Sequence, residues 1–173
     1  LMQGHLHLAI VRLSDPPETA AYVLMSHQHH GLRGLFDKVL ERYLGLRGYG
    51  LDDSCLMILG FNGRRDEVED RWNRALEICQ DHRGLHLGRG IGRSWKRDRF
   101  AQPYLRDDLL ENGVLVDTLE TATTWSNLLS VYQAMIAAMK SAIAATGGGP
   151  GTVLTHVSHA YPHGASLYST FLG

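Results

Sequence analysis

The densest group of proton-handling side chains lies near the C-terminus, in Thr155-His156-Val157-Ser158-His159-Ala160-Tyr161-Pro162-His163. Imidazoles titrate near neutrality and a phenol can give or take a proton, so gathering them at one end of a sheet provides for acid–base chemistry. Strand alternation places Thr155, Val157 and His159 on one face, with His156 and Ser158 on the other. His159, Tyr161 and His163 then crowd the end of a hairpin. Spacing alone leaves a functional and a structural reading of this group equally open. A metal site would want a carboxylate or cysteine close by, and the stretch has neither.

Arg106 is the second candidate, within Tyr104-Leu105-Arg106-Asp107-Asp108. Turned inward, its guanidinium fork would hold an anionic group. Turned outward, it makes a helix-surface ion pair with the neighbouring aspartates, worth roughly 0–1 kcal/mol, and this plainer reading leads. Asp117 and Glu120 fall three apart on a strand, so they face opposite sides and form no carboxylate pair. Gly88-Arg89-Gly90-Ile91-Gly92-Arg93 invites a nucleotide-binding reading. A dinucleotide loop, however, needs G-x-G-x-x-G between a strand and a helix. Here the third glycine comes one residue early and Ser94-Trp95-Lys96-Arg97-Asp98 continues no βαβ unit, so the stretch reads as a loop where backbone passes closely. His27, His29 and His30 read as a solvated turn between helices, and His5 and His7 as alternate positions on one strand.

The elements that would position these groups follow from periodicity. Leu6 to Leu13 is β-prone. Asp15, Pro16 and Glu18 then carry a helix start of the capping-box kind, with the helix running to about Met25. Leu32 to Leu44 has helical apolar spacing, Cys55 to Phe61 reads as a buried strand, and Asp66 to Asp81 as a helix with Val68, Trp72, Ala75, Leu76 and Cys79 on one face. Between Gly84 and Asn112 only part of Pro103 to Glu111 reads as helix. Val114 to Thr121 is a strand, Ser126 to Ala145 the clearest helix, and Thr152 to His159 and Ala165 to Leu172 two further strands. Gly147 to Gly151 is a flexible stop. This order predicts an α+β fold over residues 1–173, an antiparallel sheet with helices packed on one face.

The bulk composition narrows the classes. With 17 basic and 18 acidic residues and a net charge of -1, there is no basic face for nucleic acid or membrane surfaces. The clusters at Arg64-Arg65 and Lys96 to Arg99 read as solvated surface. No apolar run reaches the length of a membrane span. Cys55 and Cys79 read as small buried hydrophobes in a reducing compartment, so a cytoplasmic location is expected, with membrane association left open. The chain reads as an excerpt of a longer protein.

Four stretches, taken in order, resemble one family: Val11 to Asp15, Pro103 to Asp107, Asp117 to Trp125, and His156 to Tyr168. They are similar to the C-terminal half of FAD-linked oxidoreductases of the vanillyl-alcohol-oxidase type, closest to the alkyldihydroxyacetonephosphate synthase group. The resemblance implies a ferredoxin-like cap and substrate domain working with a flavin-binding domain of the same protein that would precede residue 1. It implies FAD, held mainly outside this chain, and exchange of an acyl for an alkyl group through a flavin adduct. By position, Tyr161 matches the family tyrosine that acts as acid or base beside the flavin. Arg106 matches the arginine that holds the anionic end of a small-molecule substrate, and Arg12 an arginine near the active-site sheet. His156 stands where that group has an arginine, and Pro162-His163 where it has an acidic and then a small residue. With His159, these positions complete the expected substrate-binding set.

Three functions remain in view: the synthase-like exchange, an ordinary FAD-linked oxidase or dehydrogenase of a hydroxy acid or alcohol, and a non-catalytic α+β binding domain. A homodimer is also open. The isolated chain is expected not to retain flavin.

Overall fold

The computed structural model describes residues 1–26, 42–50, 52–147 and 151–173. The strands are β1 (Ile10–Ser14), β2 (Met57–Gly60), β3 (Val116–Thr124), β4 (Thr152–Ala160) and β5 (Gly164–Leu172). The helices are α1 (Pro16–Ser26), α2 (Arg65–Asp81), α3 (Gly90–Asp98), α4 (Leu105–Glu111) and α5 (Leu128–Ala145), with a 3-10 turn at Gln102–Tyr104. Residues 42–46 are also helical.

The five strands form one sheet in the order β2-β1-β4-β5-β3, and every neighbouring pair is antiparallel. Strands β3 and β4 therefore run parallel with β5 between them, and α5 makes the crossover, a split β-α-β arrangement. The expected antiparallel α+β architecture is the one that forms.

α5 packs across the C-terminal hairpin to form the core cluster. Its Met135 packs with Val157, Ala165 and Leu167 of the β4–β5 hairpin, and Trp125, Leu128, Val131, Tyr132, Met139 and Ala160 close around them. The helix is 18 residues long and apolar enough to cross a membrane by length and composition, which corrects the expectation that no run would reach that size. The stripe on the sheet explains why it is so apolar. β2 sits at the opposite edge, where Gly92 of α3 lies against Ile58, a residue paired with Arg12.

Several boundaries moved for identifiable reasons. The first strand begins at Ile10 rather than Leu6. His5 and His7 have positive φ of 53° and 46°, a conformation no strand uses, so they do not share a strand face. Leu6 is buried without being part of the sheet. β2 begins at Met57, leaving Cys55 exposed rather than buried and Cys79 partly so. The glycine-rich stretch is not an open loop. Gly88 turns the chain with φ +84° and α3 starts at Gly90, an element absent from the periodicity because its apolar positions are few. The His27–His30 turn and most of the helix expected over Leu32 to Leu44 lie outside the described residues.

The C-terminal hairpin is the most constrained part of the sheet. β5 pairs over its whole length with β3 on one side and β4 on the other. Between Val157 and His159 the β4 register shifts by a bulge. Gly164 opens β5 with no space beside it, since a Cβ there would lie 2.1 Å from the Thr123 carbonyl oxygen. Because that neighbour is backbone, Gly164→Ala should force β3 away from β5. It is expected to cost about 2–3 kcal/mol of stability, in the range of overpacked cores, read as a lowered urea midpoint. An unchanged midpoint would contradict the packing described.

Candidate functional site

The site is assembled on the sheet face opposite α5. Directly paired residues share a face, so the register places Ser14, His156, Tyr168 and Glu120 in one row across β1, β4, β5 and β3. Arg12 lies two residues before Ser14 on the same side. Val157 and Leu167 point the other way, into the core.

At the β1 end of the row is a buried three-residue cluster. Arg12 Nη1 donates to His156 Nε2 at 2.6 Å, and Arg12 Nη2 donates to Glu18 Oε1 at 2.8 Å. His156 Nδ1 lies 3.0 Å from the same Glu18 oxygen. An arginine has only donors, so Nε2 must accept, and the ring proton is then on Nδ1 and donated to Glu18. The three side chains retain 22%, 15% and 7% exposure for Arg12, Glu18 and His156. Burial pushes the Arg12 guanidinium down from its ordinary value, and the Glu18 carboxylate pulls it back up. The His156 ring lies 5.1 Å from that of Tyr168, tilted by 31°.

Glu18 reaches this cluster because α1 starts where it does. Asp15 caps the helix, its Oδ1 accepting the Glu18 backbone N–H at 2.9 Å, as the sequence implies. The second half of the expected capping box does not form. The Asp15 N–H donates to the Thr155 carbonyl instead, which leaves the Glu18 carboxylate free to turn toward Arg12 and His156. Asp15 Oδ2 accepts from the Tyr132 hydroxyl at 3.1 Å, tying α5 to the start of α1. Burial raises the Asp15 carboxyl above its ordinary value. Burial followed by the nearby Asp15 charge raises the Tyr132 phenol.

At the other end of β4 the bulge changes what faces where. His159 pairs with Ser166 and Ala160 with Ala165, so Ala160 goes to the core and His159 to the face of His156 and Tyr168. This corrects the simple alternation that grouped His159 with Thr155 and Val157. Ser158 Oγ donates to Glu120 Oε1 at 2.9 Å, and His159 Nδ1 lies 3.2 Å from Ser158 Oγ and 3.9 Å from Glu120 Oε1. His159 and Glu120 are exposed, at 66% and 47%.

Tyr161 follows, 56% exposed, at the tip of the hairpin. Its backbone is held on both sides: the N–H donates to the Gly164 carbonyl at 2.8 Å, and the carbonyl accepts from Trp125 Nε1 at 2.9 Å. The Trp125 N–H donates to the His163 carbonyl at 3.3 Å. The phenol oxygen itself has no hydrogen-bond partner among the described residues. Arg106 stands exposed near the start of α4, which packs on β3. Among the described residues it makes no hydrogen bond or ion pair, so the expected surface pair with Asp107 or Asp108 does not form.

The structure thus brings Arg12 and His156 together, sets His159 and Tyr161 at the other end of the same strand, and leaves Arg106 apart from both groups. Glu18 and Glu120 escaped the sequence reading. Glu18 looked like a capping residue, and Glu120 meets Ser158 only through the bulge. Among the described residues no three of His, Cys, Asp and Glu gather as a metal site. What this face offers a group from outside the chain is the exposed Tyr161 phenol and, beside the bulge, the exposed His159 and Glu120 side chains.

Residues 1–172 match the family described as FAD linked oxidases, C-terminal domain, and the chain belongs to it. Within that family it is similar to alkyldihydroxyacetonephosphate synthase from Dictyostelium discoideum, 27% identical over 94% of this chain and 26% of the relative. The same enzyme from Trypanosoma brucei brucei is 24% identical over 97% of this chain and 27% of the relative. A solved structure of alkyldihydroxyacetonephosphate synthase superposes with a TM-score of 0.77 at 25% identity, over 98% of this chain and 31% of that one. The chain therefore spans about a quarter of the length of the curated relatives it matches.

Asp15 yields a prediction with a definite sign. Its folded-state pKa is raised, so its contribution favours the fold below the ordinary carboxylate range and is lost as pH rises through the folded value. Asp15→Asn keeps an oxygen for the Glu18 N–H but cannot ionise. Its melting temperature should gain on that of the parent between about pH 4 and pH 7. A difference that shrinks over that interval would reverse the sign argued here. Removing the partner hydroxyl by Tyr132→Phe should cost about 1 kcal/mol at neutral pH, measured by chemical denaturation.

Proposed function

We propose that this chain is the substrate-side domain of an FAD-dependent enzyme resembling alkyldihydroxyacetonephosphate synthase, and that Tyr161 is its acid–base group. The observation that carries the reading is the state of Tyr161. The phenol is exposed and unbonded among the described residues, while its backbone is fixed by Trp125 and Gly164. A hydroxyl on a locked backbone is oriented for a reactant supplied from outside the chain without first giving up an internal hydrogen bond.

When bound, FAD would supply the ring at which a substrate carbon loses its acyloxy group as a carboxylate and takes an alcohol oxygen in its place. Tyr161 moves a proton at its phenol oxygen. Arg106, with no internal partner among the described residues, binds the anionic group of a small substrate through its guanidinium fork. His159, held by Ser158 and Glu120 on the same face, offers a donor to the substrate beside the tyrosine. His156 and Arg12 back that face from within the sheet.

In the full-length protein, Tyr161→Phe should lower turnover by about 10²–10⁴-fold while the flavin absorbance band stays. Retained turnover would remove Tyr161 from the acid–base role. Arg106→Ala should raise KM for an anionic substrate roughly 10- to 100-fold, the worth of a charge-assisted hydrogen bond, with a smaller effect on an uncharged analogue. Equal effects on both would remove the anion-binding role. Lasting bleaching of the flavin by substrate alone would favour an oxidase over the exchange reaction.

A further inference from the structure

Glu18 presents a feature that neither helix capping nor the proposed reaction explains. One carboxylate oxygen, Oε1, takes both the Arg12 Nη2–H and the His156 Nδ1–H. The other, Oε2, is buried and has no hydrogen-bond partner among the described residues. Leaving a buried carboxylate oxygen unpaired is destabilising, and a stability-driven arrangement would share the two donors between the two oxygens. The arrangement instead fixes one point in space at which a guanidinium and an imidazole converge.

The consequence runs along the row of paired residues. With Arg12 donating to Nε2 and Glu18 accepting from Nδ1, both ring nitrogens of His156 are committed and its ring plane is set. That ring lies against Tyr168, and Tyr168 pairs across β5 and β3 with Glu120, which holds Ser158 and stands beside His159. Arg12, meanwhile, has its charge matched inside the chain, unlike Arg106.

We propose that Glu18 is a positioning residue. It sets the tautomer and ring plane of His156, and through Tyr168 the open face on which substrate lies, and it keeps Arg12 as an internal brace rather than a ligand for the substrate's anion. This assignment gives Arg12 a role other than the direct substrate binding expected of it, and its kinetic half rests on the flavoenzyme reading above.

The test uses the full-length protein with Glu18→Ala and Glu18→Gln, kinetics below the melting temperature of each, and nitrogen NMR of histidine rings with His156 assigned by its own substitution. In the parent, His156 should show a protonated Nδ1 and an unprotonated Nε2. Glu18→Ala should shift the Nδ1 resonance and lower kcat at least tenfold, with KM for the anionic substrate changed less than twofold. Glu18→Gln keeps an acceptor oxygen in place and should recover most of kcat together with the parent Nδ1 signal. An unprotonated Nδ1 in the parent overturns the proposal. So does parent-like kcat in Glu18→Ala, or a rise in KM with kcat intact, which would return Arg12 and Glu18 to the anion site. If the parent turns over no substrate of the proposed class, the flavoenzyme reading fails, while the ring resonances still decide whether Glu18 sets His156.

Discussion

The placement of every group on the open face depends on the register of the β4–β5 hairpin. β5 is paired on both sides for its full length, so neither neighbour can slide without carrying its whole set of side chains to the wrong face. Two local constraints hold that register at the hairpin tip. The Thr123 carbonyl fills the space a side chain on Gly164 would need. Trp125, at the other end of the same segment, donates its ring N–H to the Tyr161 and Pro162 carbonyls. Backbone groups make these contacts, so they fix the path of the chain and leave the side chains of the tip to chemistry.

The two ends of β4 are built differently. At the β1 end, Arg12, Glu18 and His156 are largely buried and satisfy one another apart from a single carboxylate oxygen. At the tip, Ser158, His159 and Glu120 are wet, and the Tyr161 phenol is unbonded among the described residues. The buried end gives rigidity where charges are few and matched, since an unmatched charge there would be costly. The exposed end keeps donors and acceptors available for something outside the chain. The FAD-linked family to which the chain belongs joins such a domain to a flavin, and an open polar face with a firm backing suits that division.

Much of this was legible in the residues. The apolar stripe of α5, the cap formed by Asp15, the alternation of β5 and that of β4 as far as Val157 all follow from local rules of period and capping. What escaped was non-local. Glu18 is three residues beyond a cap and looks like a capping-box partner. Only the pairing of Asp15 N–H with Thr155, far along the chain, frees its carboxylate for His156. α3 was missed because glycines at its start weaken the helical signal, whereas contacts with Ile58 stabilise it in place. His5 and His7 sit in a β-prone string, but left-handed backbone takes them out of any strand. Arg106 appeared to have ready partners in Asp107 and Asp108, yet residues one and two apart on a helix do not face each other.

The bulge at Ser158 also has a meaning for how this strand can change. One additional residue there offsets the phase between the chain and the pleat, so the first part of β4 and its last residues obey opposite inside–outside rules. Point substitutions on either side leave that phase alone, and loss of Ser158 itself would turn the stretch into regular alternation. With Ser158 gone, His159 would still oppose Ser166 on the face and Ala160 would still oppose Ala165 in the apolar layer under α5, so the tip would keep its orientation and lose only the hydroxyl that Glu120 holds. The bulge is therefore a spot where the strand could lose one residue without turning its tip over. A family of such domains could shed the extra residue here and still present the same side chains inward and outward.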